Sequence, residues 1–209
     1  MMPRVSDRHS VSSADRRSSV QAAARNNAEW CDAVCRAHGL PGDFGAAAWT
    51  NPRRTPPYYP DAVTLTASAS GEDVLDRIDT SSRGCSVKDS FARIDLAPLG
   101  FRVLLQAEWI YRPADERVPR PQHVRWTQVL DGTALLSWEA AWRGNQEVPD
   151  LFRPQLLADD SVAFLCGYSR GSIVAGLVAK RSASVVGISN LFSSDGDVEA
   201  AWAGGLGGR

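Results

Sequence analysis

Residues 161–192, SVAFLCGYSRGSIVAGLVAKRSASVVGISNLF, constrain the fold more than any other part of the chain. Three apolar, largely β-branched runs, at 162–168, 172–181 and 184–192, are separated only by short polar breaks. The first break, Gly167-Tyr168-Ser169-Arg170-Gly171, is also a literal G-x-S-x-G, the pattern of the nucleophile elbow that serine hydrolases place between a strand and a helix. The two readings exclude each other. A helix after Gly171 would carry Gly176 in its middle, at a cost of roughly 1 kcal/mol relative to Ala, in a run rich in β-branched residues. In the hydrolase order the histidine follows the nucleophile, whereas His9, His38 and His123 all precede Ser169. The pattern therefore predicts a strand after the break, with residues 168–171 as a hairpin turn and Gly171 free to take positive φ. A serine hydrolase using Ser169 is the disfavoured alternative.

With 209 residues, 44% of them hydrophobic, and a formal net charge of −1, the chain is long enough for one substantial core. No apolar run approaches the roughly 18 to 20 residues of a membrane helix, so no membrane partner is expected. The balanced charge argues against a nucleic-acid surface. Lys88 and Lys180 are the two lysines among 23 basic residues, a skew that fits GC-rich coding better than phosphate recognition. Cys31, Cys35, Cys85 and Cys166 are scattered and no secretory h-region is visible, which predicts a reduced, cytoplasmic protein without disulfides. Cys31, Cys35 and His38 share a helical face. Their spacing matches none of the usual zinc patterns, so they are expected to pack under a helix and no metal is predicted.

Residues 1–26 are Arg- and Ser-rich and are expected to form a disordered tail, a transit peptide being the weaker alternative. A short helix is predicted from Asn26 or Asn27 to the stop at Gly39. The segment 44–60, with four prolines and four aromatics, reads as extended, its rings packed on a neighbouring surface or forming one wall of a ligand cleft. Strand 62–66, helix 71–79, strand 86–92 and strand 101–111 follow, closed by a Pro- and charge-rich linker at 112–122. A second unit from 123 has the same grammar: strand 124–129, helix 132–143, helix 149–158, then the three strands above. The two units share too little identity for a duplication to be claimed. Helix 132–143 should bury Leu135, Leu136, Trp138, Ala141 and Trp142, with Glu139 and Arg143 on its wet side. Lys88 and Asp89 read as a surface pair.

The order strand, two helices, antiparallel hairpin, strand and glycine-rich segment resembles the GNAT acyltransferase fold, and residues 123–209 resemble its first half to two-thirds. The blocks VRWTQVLDGTALLSWEAAW, VAFLCGYSRGSIVAGLVAKR, SVVGISNLF and DGDVEAAWAGGL are similar to GNAT-like proteins of high-GC bacteria. YPDAVTLT and CSVKDSFARIDLAPLGFRVLLQAEWIYR resemble the region preceding that domain in the same group. The resemblance implies an α+β fold: a mixed, largely antiparallel sheet flanked by helices, with an N-terminal βαββ extension over 27–122.

By the same resemblance the chain is an acetyl-CoA-dependent N-acyltransferase acting on a small-molecule or peptide amine. The fourth strand of the family offers backbone groups to the pantetheine arm, which implies Val186, Gly187, Ile188, Ser189 and Asn190 as cofactor-binding residues. The following loop cradles the pyrophosphate on backbone N–H groups through a Q/R-x-x-G-x-G/A motif. Here that loop reads SSDGDVEAAWAGGLGGR, without the leading Gln or Arg and with Asp195, Asp197 and Glu199 where an anion would sit. The family's fifth strand and the helix with its usual Tyr general acid have no counterpart in the sequence. A transferase needs a carboxylate or water to accept the amine proton, and Glu108 is the weak candidate. The departures keep open a second reading, a non-catalytic GNAT-like module that binds a ligand or partner.

Overall fold

The computed structural model describes residues 13–113, 124–144, 150–183 and 185–206. These residues form an α+β fold with two four-stranded, mostly antiparallel sheets. The first sheet has the order β1 (Asp43–Phe44), β2 (Ala48–Thr50), β3 (Ala62–Thr64), β4 (Val87–Lys88), with β4 parallel to β3. The second is an antiparallel meander of β5 (Arg125–Gln128), β6 (Val162–Ser169), β7 (Ser172–Arg181) and β8 (Val186–Ser193). Among the described residues, no helix is long and apolar enough to cross a membrane.

The predicted hairpin is present. Ser169 pairs with Ser172, and the two residues between them, Arg170 and Gly171, have φ of 50° and 83°. Two successive positive φ values are what the right-handed twist of a tight hairpin demands. Gly176 sits where β7 passes beneath two rings, and a Cβ there would strike Phe192 and Trp138.

Helix α1 (Ser13–Ala37) corrects the expectation of a tail over 1–26. Residues 1–12 lie outside the described residues, but 13–26 are helical. The Ala22-Ala23-Ala24 run favours helix, and the buried stripe continues backwards from Cys35, Cys31 and Ala28 to Ala24 at helical spacing. That face is covered by tertiary contacts: Asn26 Nδ2 donates to Lys180 C=O at 2.8 Å and to Ser182 Oγ at 2.8 Å. On the side of the first sheet, buried Asp32 accepts from Trp49 Nε1 (3.0 Å) and Gly42 N–H (3.0 Å). One helix therefore fastens both sheets.

The Pro-rich segment contributes β2 and the end of β1 and otherwise runs through bends and a turn, with Tyr58 at φ of 70°. Its polar anchor is Asp61, whose buried carboxylate accepts from Thr55 N–H (3.0 Å), Ser86 N–H (2.9 Å) and the Arg54 guanidinium. Helix α2 (Gly71–Leu75) is shorter than predicted and begins with a capping box between Ser70 and Asp73. Strand 86–92 shrinks to β4 because Asp89 turns the chain, accepting from the N–H groups of Phe91, Arg93 and Ile94. The expected strand at 101–111 belongs to neither sheet and is mostly exposed. The linker at 112–122 falls largely outside the described residues.

Helix α3 (Gly132–Arg143) has the predicted bounds, with Asp131 as N-cap accepting from Ala134 N–H at 2.8 Å. Two of its side chains contradict the sequence reading: Leu136 is exposed and Glu139 is buried. The predicted helix 149–158 is a 3-10 turn, Pro154–Ala158, within the described part. The main core joins Trp30, Trp138, Phe152 and Phe164 in edge-to-face and stacked pairs with centroids 5.1 to 6.3 Å apart. Each such pair contributes about 0.5–1.5 kcal/mol beyond its area. Helix α4 (Val198–Leu206) covers the opposite face, where Gly204 and Gly205 let it settle onto Trp126 and Leu177.

Candidate functional site at the bulged strand

The five residues singled out for the cofactor, Val186, Gly187, Ile188, Ser189 and Asn190, all lie on β8, at the edge of the second sheet. Gly187 pairs with Lys180 and Ser189 with Val178, but the next pair is Phe192 with Gly176. Asn190 and Leu191 thus oppose Leu177 alone, a bulge, and Asn190 adopts φ of 52°. Asn tolerates the left-handed region better than most side chains. The bulge bends β8 and turns the Asn190 carboxamide towards the protein: its Oδ1 accepts from Trp30 Nε1 at 3.1 Å and from the Tyr59 hydroxyl at 3.5 Å.

Tyr59 arrives from the Pro-rich segment, and sequence reasoning did not single it out. The only signal was the ring-rich PPYYP motif, read there as a possible cleft wall. Burial raises the Tyr59 phenol well above its ordinary pKa, so the group stays protonated at any physiological pH. Gly187 is covered by α1: a Cβ at this position would fall inside the envelope of Asn26 Oδ1. Val186 is exposed, and Ile188 and Ser189 are half-buried. A shallow groove of about 480 Å³ lined by Ser18, Gln21, Arg25, Leu65 and their neighbours includes none of the five.

The loop from β8 to α4 is organised around a carboxylate. Asp195 Oδ1 accepts from the Ser193 hydroxyl and from Asp197 N–H (3.0 Å), while Gly196 takes φ of 80°. The Ser193 hydroxyl, followed by the Asp197 N–H, holds the Asp195 pKa below its ordinary value, so the loop carries a negative charge at neutral pH.

The remaining candidates occupy separate places. Glu108 is exposed on the segment 101–111. Ser169 is the last residue of β6, and His38, the one histidine among the described residues, uses Nε2 to bond Leu151 C=O at 2.8 Å. Cys31 and Cys35 pack in the core; burial raises both thiols to about 12, and among the described residues no group of three or more His, Cys, Asp or Glu could hold a metal ion. Lys88 is not a surface residue paired with Asp89. Its ammonium donates to Asn27 Oδ1 at 2.8 Å and lies 4.7 Å from the Trp109 ring centre, and burial lowers its pKa. Asp89 bonds its own loop instead. Burial alone would raise its pKa, but the N–H groups of Ile94, Phe91 and Arg93 outweigh this and hold it below the ordinary value.

Glu139, read as solvated, is 3% exposed. Its Oε1 accepts from Leu151 N–H at 2.8 Å, and its Oε2 is buried with no hydrogen-bond partner. This bond ties α3 to the segment that brings Phe152 against Trp138, a structural role that helical periodicity alone does not reveal. Comparison with protein-family models, curated proteins and solved structures finds no match to this chain.

Proposed function

We propose that residues 124–206 are a GNAT-like module, related to acetyl-CoA-dependent N-acyltransferases, that binds a ligand or partner without transferring an acyl group. The GNAT-like part of the reading is supported by the order strand, helix, 3-10 turn, hairpin, bulged strand, helix, with α3 and α4 on opposite faces of the sheet. The non-catalytic part is carried by the carboxylate at the head of α4. Asp195 occupies the N–H group that a pyrophosphate would use, and its charge repels that anion. The Asn190 carboxamide oxygen is likewise engaged by Trp30 and Tyr59.

A second reading, an active N-acyltransferase using acetyl-CoA and a small-molecule or peptide amine, is favoured by Tyr59. Its hydroxyl lies beside the bulge, donating to Asn190 Oδ1 at 3.5 Å, and a tyrosine is the group the GNAT resemblance implies as proton donor to the leaving thiolate.

Thermal unfolding with and without millimolar acetyl-CoA separates the two. A ligand at about 100 times its dissociation constant adds roughly 2.7 kcal/mol, or about 5 to 10 °C for a chain of this size. The proposal expects no shift for the wild type. A clear rise overturns it in favour of the transferase, and loss of acetyl transfer in Tyr59→Phe with binding retained would then give Tyr59 its role.

A further inference from the structure

The segment 101–111, FRVLLQAEWIY, has the alternation of a strand without the partners of one. Its odd positions, Phe101, Val103, Leu105, Ala107, Trp109 and Tyr111, are apolar throughout. Its even positions carry Arg102, Gln106 and Glu108 alongside Leu104 and Ile110. The Trp109 indole tethers one end to the body by donating to Ser90 C=O at 2.9 Å, yet Leu99, Val103, Leu104, Leu105, Ile110 and Tyr111 are 61–76% exposed. These side chains stand on both faces of the segment, Val103, Leu105 and Tyr111 at odd positions and Leu104 and Ile110 at even ones.

The sequence of the segment indicates what its backbone pairs with. We propose that residues 101–111 pair antiparallel with the same residues of a second copy of this chain, about a two-fold axis through Leu105. In that register Arg102 faces Glu108 of the partner subunit, and the symmetry makes the ion pair twice. Phe101 falls opposite Trp109 of the partner subunit and Val103 opposite the partner's Ala107. Pairing about a residue keeps odd positions with odd, so the apolar faces of both copies lie on the same side of the two-stranded ribbon. The backbone N–H and C=O groups along the segment, which join neither sheet, gain ladder partners by the same step. The pairing is independent of whether the β8 site binds CoA.

Sedimentation velocity of the full chain at tens of micromolar tests the proposal. The expected result is a dimer for the wild type, and for Arg102→Glu, which puts like charges opposite each other twice, dimerisation at least about tenfold weaker. The double variant Arg102→Glu/Glu108→Arg should dimerise again. Arg102 is exposed, so Arg102→Glu should melt at the wild-type temperature in dilute solution, separating lost assembly from lost folding. Register is read by disulfide capture in a Cys85→Ser background, since Cys31, Cys35 and Cys166 are buried. Leu105→Cys, on the axis, should cross-link to its twin on oxidation, and Val103→Cys should not. A monomeric wild type, a dimer indifferent to Arg102→Glu, or cross-linking at 103 instead of 105 overturns the assignment.

Discussion

Deleting the side chain of Asn26 should destabilise the protein as much as a core substitution, although residues 1–26 read as a tail. Asn26 Nδ2 donates to Lys180 C=O, a buried contact across 154 residues of sequence, and to Ser182 Oγ. A net hydrogen bond contributes about 1 kcal/mol, and a buried carbonyl left unpaired costs a further 1–3 kcal/mol. Asn26→Ala is therefore expected to lose about 2–3 kcal/mol, or roughly 5 to 10 °C in melting temperature. Urea unfolding followed by tryptophan fluorescence reports it, because Trp30 lies one turn further along α1. Gly187→Ala supplies the cross-check. Its added Cβ must displace the Asn26 carboxamide, so the substitution costs the same hydrogen bonds through the opposite partner. In the Asn26→Ala background that clash is gone, and Gly187→Ala should cost almost nothing. A coupling energy above about 1 kcal/mol in the double-mutant cycle is expected. Should Asn26→Ala unfold within about 0.5 kcal/mol of the wild type, or should the two substitutions add, α1 does not hold β8 in the way described.

Glu139→Leu removes the acceptor for Leu151 N–H and should cost about 1–3 kcal/mol in urea, whereas Glu139→Gln, which keeps an acceptor for that N–H, should stay within about 1 kcal/mol of the wild type. Native-state titration with a thiol reagent at pH 8 should show one reactive cysteine, half-buried Cys85, lost in Cys85→Ser. Cys31 and Cys35, raised to about 12 by burial, should react only after unfolding. Asp89 has a depressed folded-state pKa, so its contribution to stability is fully present above the unfolded carboxylate value of about 3.9 and is lost as pH falls through the lower folded value. Asp89→Asn should be less stable at neutral pH and show a shallower fall in stability on acidification below pH 4, as read by melts at stepped pH.

What the sequence made legible is the part held by neighbours in the chain. The β6–β7 hairpin follows from β-branched runs and a Gly able to take positive φ, and α3 follows from its Asp cap and apolar stripe. What stayed hidden depends on distant partners. Residues 13–26 carry little apolar surface of their own, and their helix is stabilised by contacts to strands formed much later in the sequence. The signal that did exist, Ala24 in phase with Ala28, Cys31 and Cys35, was masked by the Arg and Ser residues around it. Glu139 was misread because its partner, the Leu151 amide, lies beyond the end of α3, where helical periodicity says nothing. The bulge at Asn190 left no pattern at all. The sequence predicted the strand that carries the five candidate residues, but the rings of Trp30 and Tyr59 against that strand come from elements whose position no local rule predicts.

The placement of α1 sets the order in which the chain can finish folding during synthesis. The helix leaves the ribosome first, while Lys180, Ser182 and Asn190, which complete its contacts, are made about 8 to 30 s later at ordinary translation speeds. Through that interval the face bearing Trp30 has no strand of the second sheet to close against, and the nascent chain offers chaperones an amphipathic helix. Release of the last strand and closure of the first helix are then one event, and a chain stalled before residue 190 would expose the same face for as long as it remained stalled.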